Sequence, residues 1–154
     1  MEKLPEVETA KALMSEAVTW SVMRWLREKK RVRKTADQAN AALDRLTQAT
    51  QELWPDRVRT AYAGLVRQNG GTATAHGQQK APPVNDPEAM LVAKKVKETD
   101  DEAYRARMDA EETFDEAERQ LSTSLAREGC RKAIHSWDLH EKAIRRAETV
   151  IRPK

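Results

Sequence analysis

Between Pro5 and Pro55 the chain runs for 49 residues without a glycine or a proline. Those two residue types are the ones whose backbone chemistry stops a helix, so nothing in this stretch forces an interruption. Ser15, Val18, Val22, Trp25, Lys29, Val32, Ala36, Ala39, Leu43, Leu46, Thr50 and Leu53 recur at a 3-4-3-4 spacing. Most of them are apolar, which is the seam of a helix that packs lengthwise against other helices. At ~1.5 Å per residue the stretch makes a rod of about 75 Å.

The rest of the composition agrees with long helices. Charged residues make up 34% of the 154 and hydrophobic ones 39%, a balance that suits narrow apolar stripes beside wide polar faces. No run of alternating β-branched residues offers material for a sheet. The expected fold is therefore all-α: an elongated antiparallel bundle, a coiled-coil-like hairpin of two long helices with a short helix between them.

Its first arm covers 5–68. Pro5 suits a first helical turn and Glu6 and Glu8 suit the positive end of the helix dipole. From Ala12 to Leu26 only Glu16 and Arg24 are charged, so several neighbours are expected to bury this part. Thr35 and Gln38 match a capping box, but the heptad phase continues through Val32, Ala36 and Ala39, which favours an unbroken helix there. Trp54-Pro55-Asp56 ends the rod, and Val58, Tyr62, Leu65 and Val66 form the apolar side of a helix over 56–68.

Residues 69–85 hold glycines, prolines and almost no large apolar side chain, and read as a flexible linker. Asp86-Pro87-Glu88 then starts the second arm, 86–152. Its apolar marks pass through Ala93, Val96, Ala110, Phe114, Ala117 and Leu121 and resume at Cys130, Ala133, Trp137, His140 and Ile144. The phase slips near Gly129, which is either a bend in one helix or a turn into another; no capping residue follows it, and that favours a bend. The arms together form one structural unit.

Charge is distributed unevenly. Residues 24–34 carry seven basic side chains against Glu28, while 98–118 carry ten acidic ones against Arg105 and Arg107. An antiparallel hairpin whose second arm starts level with residue 50 faces position i with about 137 − i, setting residue 29 against 108. The acids would then cover the basic run, within one chain or across a dimer.

Chemistry-bearing constellations are sparse. No His follows a Glu at the i+3 spacing that four-helix di-iron sites use, so no metal ligands are assigned. His135 has Asp138 one turn on, and Cys130 lies among Arg127, Arg131 and Lys132, but Cys130 and His135 point about 140° apart on a helix. Gly70-Gly71 lacks the Gly-Lys-Ser/Thr of a phosphate loop. No catalytic residue, metal or cofactor is assigned, and an enzyme is not expected.

The expected role is a non-enzymatic structural or adaptor protein that binds a partner or a second copy of itself, most simply as a dimer. The alternative is a peripheral binder of anionic lipid or nucleic acid through residues 24–34. Both readings use one candidate surface: Trp20, Arg24, Trp25, Arg27, Lys29, Lys30, Arg31, Arg33 and Lys34. A single cysteine, a mixed-charge N-terminus and no apolar stretch of ~20 residues give a cytoplasmic expectation.

Overall fold

A computed structural model describes residues 3–70 and 86–151, the last three residues of the first segment by backbone only. Five helices make an all-α bundle: α1 (Pro5–Ala17), α2 (Val22–Glu52), α3 (Asp56–Gly70), α4 (Pro87–Gln120) and α5 (Thr123–Ile151). Pro5 and Pro87 occupy first helical turns, and the Asp86 carboxylate accepts from the Ala89 N–H at 3.0 Å. Both starts follow from a missing N–H that costs nothing there. The expected linker falls outside the described residues from 71 onward; residues 69 and 70 close α3.

The uninterrupted rod over 5–54 is not what forms. The chain leaves helix at Val18 and re-enters at Val22, although it has no glycine or proline to stop it. Side chains do the work instead. Thr19 Oγ1 donates back to the Glu16 carbonyl at 2.8 Å, and Ser21 Oγ accepts from the Arg24 N–H at 3.1 Å as the N-cap of α2. Both are local alternatives to the helix ladder, which short hydroxyl side chains are suited to offer. Across Lys34–Thr35, by contrast, α2 runs on unbroken, as the heptad phase implies.

The second arm also divides, at Leu121 rather than at Gly129. Leu121 takes the left-handed conformation (φ 53°, ψ 43°) and its N–H bonds the Glu118 carbonyl. The Ser122 N–H reaches the Ala117 carbonyl at 2.9 Å, completing a Schellman ending of α4. Ser122 Oγ then accepts from the Leu125 N–H at 3.1 Å and so caps the next helix. Gly129 lies inside α5, where a Cβ would stand 2.9 Å from Phe114 Cδ1. Its missing side chain lets α4 and α5 approach closely; it marks packing, not a turn.

α4 and α5 lie antiparallel and share the most extensive packing in the bundle. Two apolar clusters line this pair. Toward the α4–α5 turn, α1 and α2 cover it with Val7, Leu13, Met14, Trp20, Trp25, Val32 and Leu43 against Phe114, Cys130, Trp137 and Ile144. Toward the other end, Trp54 and α3 residues Val58, Ala61 and Leu65 cover Ala89, Ala93, Val96 and Ala147. Trp54 Nε1 donates to the Ala147 carbonyl at 2.9 Å, anchoring the α2–α3 turn on α5.

The register differs from 137 − i. Arg33 meets Asp115 and Glu118, and Asp44 meets Arg107, a displacement of about 11 to 14 residues or three to four helical turns. The second arm starts beside α3, where Arg57 pairs with Asp86 and Glu88, rather than beside the end of α2. Consequently the acids of 98–118 do not blanket the basic run: among the described residues, Arg33 alone of its cations pairs with them. Those acids turn to closer donors, Asp101 to Lys97, Asp109 to Lys132 and Glu116 to Arg119.

Candidate interaction surface

Between Trp25 and Thr50 the seam read from the sequence is buried except at Lys29 and Leu46, which are half-buried, and its ends are open. Val22 is 52% exposed and Leu53 67%. Around the first of these, the break at Val18–Ser21 turns the start of α2 so that Val22, Met23 and Leu26 reach solvent. Of the apolar residues in 12–26, which several neighbours are expected to cover, Leu13, Met14, Ala17, Trp20 and Trp25 are buried and Val18 is half-buried, while Ala12, Val22, Met23 and Leu26 are exposed.

The two tryptophans of the candidate surface are therefore not exposed. Trp20 and Trp25 pack inside the core with ring centroids 5.6 Å apart and planes tilted by 55°, and the Arg24 guanidinium lies over Trp20 at 4.6 Å. Arg127 of α5 donates to the Trp20 carbonyl at 2.8 Å, satisfying a carbonyl in the break between α1 and α2. Trp20 Nε1 is buried and makes no hydrogen bond.

Beside them runs a groove of about 210 Å³, between the start of α2 and the α4–α5 turn. Trp25, Phe114, Ala117 and Ala126 form its floor, and all four are buried. Val22 and Leu26 stand on one side and Leu121, 81% exposed, on the other. Lys29 and Arg33 close the α2 wall, and Glu118 belongs to the α4 wall. Arg33 spans the groove, its guanidinium 5.3 Å over the Phe114 ring and 3.1 and 3.3 Å from Asp115 and Glu118.

The remaining basic residues separate into paired and unpaired. Arg24 pairs with Glu16 and Glu28, both at 3.1 Å, and Arg31 with Glu28. Glu28 is held below the usual carboxylate range by its Arg24 hydrogen bond, with Arg31 adding to it and slight desolvation opposing. Among the described residues, Arg27, Lys29, Lys30 and Lys34 have no carboxylate partner. At about 100° per residue, Val22, Leu26, Lys29 and Arg33 share one stripe of α2, while Met23, Arg27, Lys30 and Lys34 form the adjacent stripe.

Other groups that the sequence singles out are structural. Burial pushes the Cys130 thiol up to about 12, with Arg131 opposing only in part, so it is no ready nucleophile. Asp138 pairs with Lys11 at 2.8 Å; the same ammonium meets Glu141 at 2.7 Å. His140, on the apolar stripe, stacks edge-on to Tyr104 at 5.1 Å. Desolvation first, and then the Arg107 charge, lower it to about 4 against the opposing pull of Asp44. The Arg107–Asp44 pair is two-pronged at 2.8 and 3.1 Å, and Trp137 Nε1 donates to Asn40 Oδ1 at 2.8 Å nearby. This network ties α2, α4 and α5 together at mid-bundle.

Among the described residues no three His, Cys, Asp or Glu side chains converge as metal ligands would, and no helix is long and apolar enough to cross a membrane. Of the groove residues only Trp25, Lys29 and Arg33 belong to the surface read from the sequence; Val22, Phe114, Ala117 and Leu121 are read there as apolar seam, and Leu26, Glu118 and Ala126 are not assigned to a surface. Comparison with protein families, with curated proteins and with solved structures finds no match to this chain.

Proposed function

We propose that this chain is a non-catalytic helical interaction protein whose docking site is the groove between the start of α2 and the α4–α5 turn. The observation that carries the reading is Leu121. A leucine in the left-handed region costs about 1 kcal/mol or more, and its side chain is 81% in solvent. A residue unfavourable in conformation and in exposure, beside Val22 and Leu26, fits a surface that something else covers. A second copy of the chain is one such occupant and a different protein is another; neither needs a catalytic group.

Photo-crosslinking amino acids placed singly at Leu26, Leu121 and Leu91 test the site in the cells that make the protein. Leu91 is 57% exposed but lies near the start of α4, away from the groove. The same partner band is expected from positions 26 and 121 and none from 91. Equal labelling at all three positions would remove the groove from consideration.

A second reading, binding to a polyanionic surface, draws on Arg27, Lys29, Lys30 and Lys34, four cations with no carboxylate partner among the described residues. Binding to anionic vesicles or to DNA at two salt concentrations tests it, since phosphate binding weakens steeply with salt.

A further inference from the structure

The groove is apolar at its floor and unlike in charge at its two walls, and this asymmetry bears on what can lie in it. On the α2 side Lys29 stands at the rim, and the adjacent stripe adds Arg27, Lys30 and Lys34. On the α4 side stands Glu118, with Asp115 one helical turn before it and outside the groove, both half-exposed and both paired with Arg33. We infer that the occupant is an amphipathic helix with an apolar stripe and a row of carboxylates along one edge, lying with that edge toward α2. The inference rests on the docking reading above and adds to it the chemistry of the partner.

Three observations favour such a helix over other occupants. A helix side chain fits a recess with Trp25 and Phe114 at its base and Leu26 and Leu121 at its lips, which is how amphipathic helices seat apolar anchors. A flat anionic bilayer laid on the same face would press its phosphates against Asp115 and Glu118 as well as against the lysines. Moreover, the tryptophans that would enter a membrane interface are buried, Trp20 to 3% and Trp25 to 7% exposure. A two-fold pairing of this groove with itself about an axis lying across the groove sets one cationic α2 edge against another. Like charges brought together in this way select against the wrong partner. An acidic-edged helix meets neither obstacle.

Charge on this rim governs orientation and choice of partner more than total affinity, because exposed pairs contribute only ~0–1 kcal/mol each. The apolar anchors must supply the rest. The probe is a display library of helices of about 16 residues, roughly four turns, with a fixed leucine stripe and with Glu or Lys varied freely along both edges. Selection is made on the full chain, and binding is read from the anisotropy of the labelled helices.

The expected result is enrichment of Glu along one edge only. The Lys29→Glu/Lys30→Glu double variant, folded to the same helicity, is expected to weaken those helices about tenfold and to select Lys in their place. Binders without an acidic edge, or with one that survives this reversal, would overturn the inference while leaving the groove as the docking site, provided that Leu121→Gly or Leu26→Ser still abolishes binding. Indifference to both of those variants, or a selection with no groove-dependent binder, would overturn the docking reading and the inference together. Two further results would also overturn the inference: Leu26-dependent sedimentation with phosphatidylglycerol vesicles, or a chain dimer that the selected helices fail to dissociate.

Discussion

Two turns in this bundle solve the same problem in opposite ways. Each interrupts a helical stretch that lacks proline and glycine at the break, and each restarts the next helix on a serine, Ser21 or Ser122. At the first, the large residue ahead of the serine goes inward: Trp20 is 3% exposed, its ring packed at a tilt against Trp25, with its carbonyl held by Arg127. At the second it goes outward: Leu121 is 81% exposed in a left-handed conformation. One turn is thus part of the core and the other is a rim. The difference teaches that a helix break can be tied into the core by tertiary contacts at one place and held by local backbone and serine-cap hydrogen bonds at another, and that only the second leaves its large side chain available.

Removing the side chains tests this contrast most severely. Trp20→Ala should destabilise the protein by about 3–5 kcal/mol, as deletion of a buried ring does, whereas Leu121→Ala should change stability by less than about 0.5 kcal/mol. Urea unfolding of both variants checks it, and comparable losses would mean that Leu121 is not the free side chain it is described as. Next in size is the Arg127–Trp20 bond. Arg127→Met keeps the aliphatic bulk and leaves the Trp20 carbonyl unsatisfied, an expected loss of about 1–3 kcal/mol by the same method. A neutral result would make the first turn as self-sufficient as the second.

The caps come next. Ser21→Ala and Ser122→Ala should each cost about 1 kcal/mol, because each removes one side-chain acceptor from a helix start. Amide exchange in the first turns of α2 and α5 should quicken in the corresponding variant only. The smallest effect is a gain. Leu121→Gly relieves the left-handed strain at the expense of a more flexible unfolded chain, and should raise stability by about 0.5–1 kcal/mol in thermal unfolding. The same substitution removes one lip of the groove, so stability and docking should move in opposite directions.

Most of the helical plan was legible in the residues, and the points that were not share a cause. Pro55, Asp86-Pro87 and the seam from Trp25 to Thr50 are visible because proline chemistry and apolar periodicity act locally. The break at Val18–Ser21 hides because Val18 and Val22 keep a helical spacing across it, so the phase shows no slip. Its signal was weak and polar: Thr19 and Ser21 flanking Trp20. At the second break a leucine takes the position where glycine is expected, and the readable clue was Ser122-Thr123-Ser124 behind it. Gly129 drew attention to the wrong place because a glycine that permits a close helix approach looks in sequence like one that makes a turn. As for the candidate site, its cations were visible as a run, but which of them lack partners depends on a register of three to four turns that no local pattern encodes.

The Lys11–Glu141 ion pair has a consequence in time as well as in space. It joins side chains 130 positions apart, the first helix to the last. During synthesis at about 5–20 residues per second, α1 emerges roughly 6–26 s before its acidic partner exists. Through that interval its apolar face, Val7 through Ala17, has only α2 to rest on, so the turn at Trp20 must hold the earliest pairing in the chain without Arg127. Ribosome-stalled chains ending before residue 100 are therefore expected to shield Trp20 from a soluble quencher partly, and chains extending past α5 to shield it fully. Should the short chains leave it as open as an unfolded peptide, the first helix would be the last to dock.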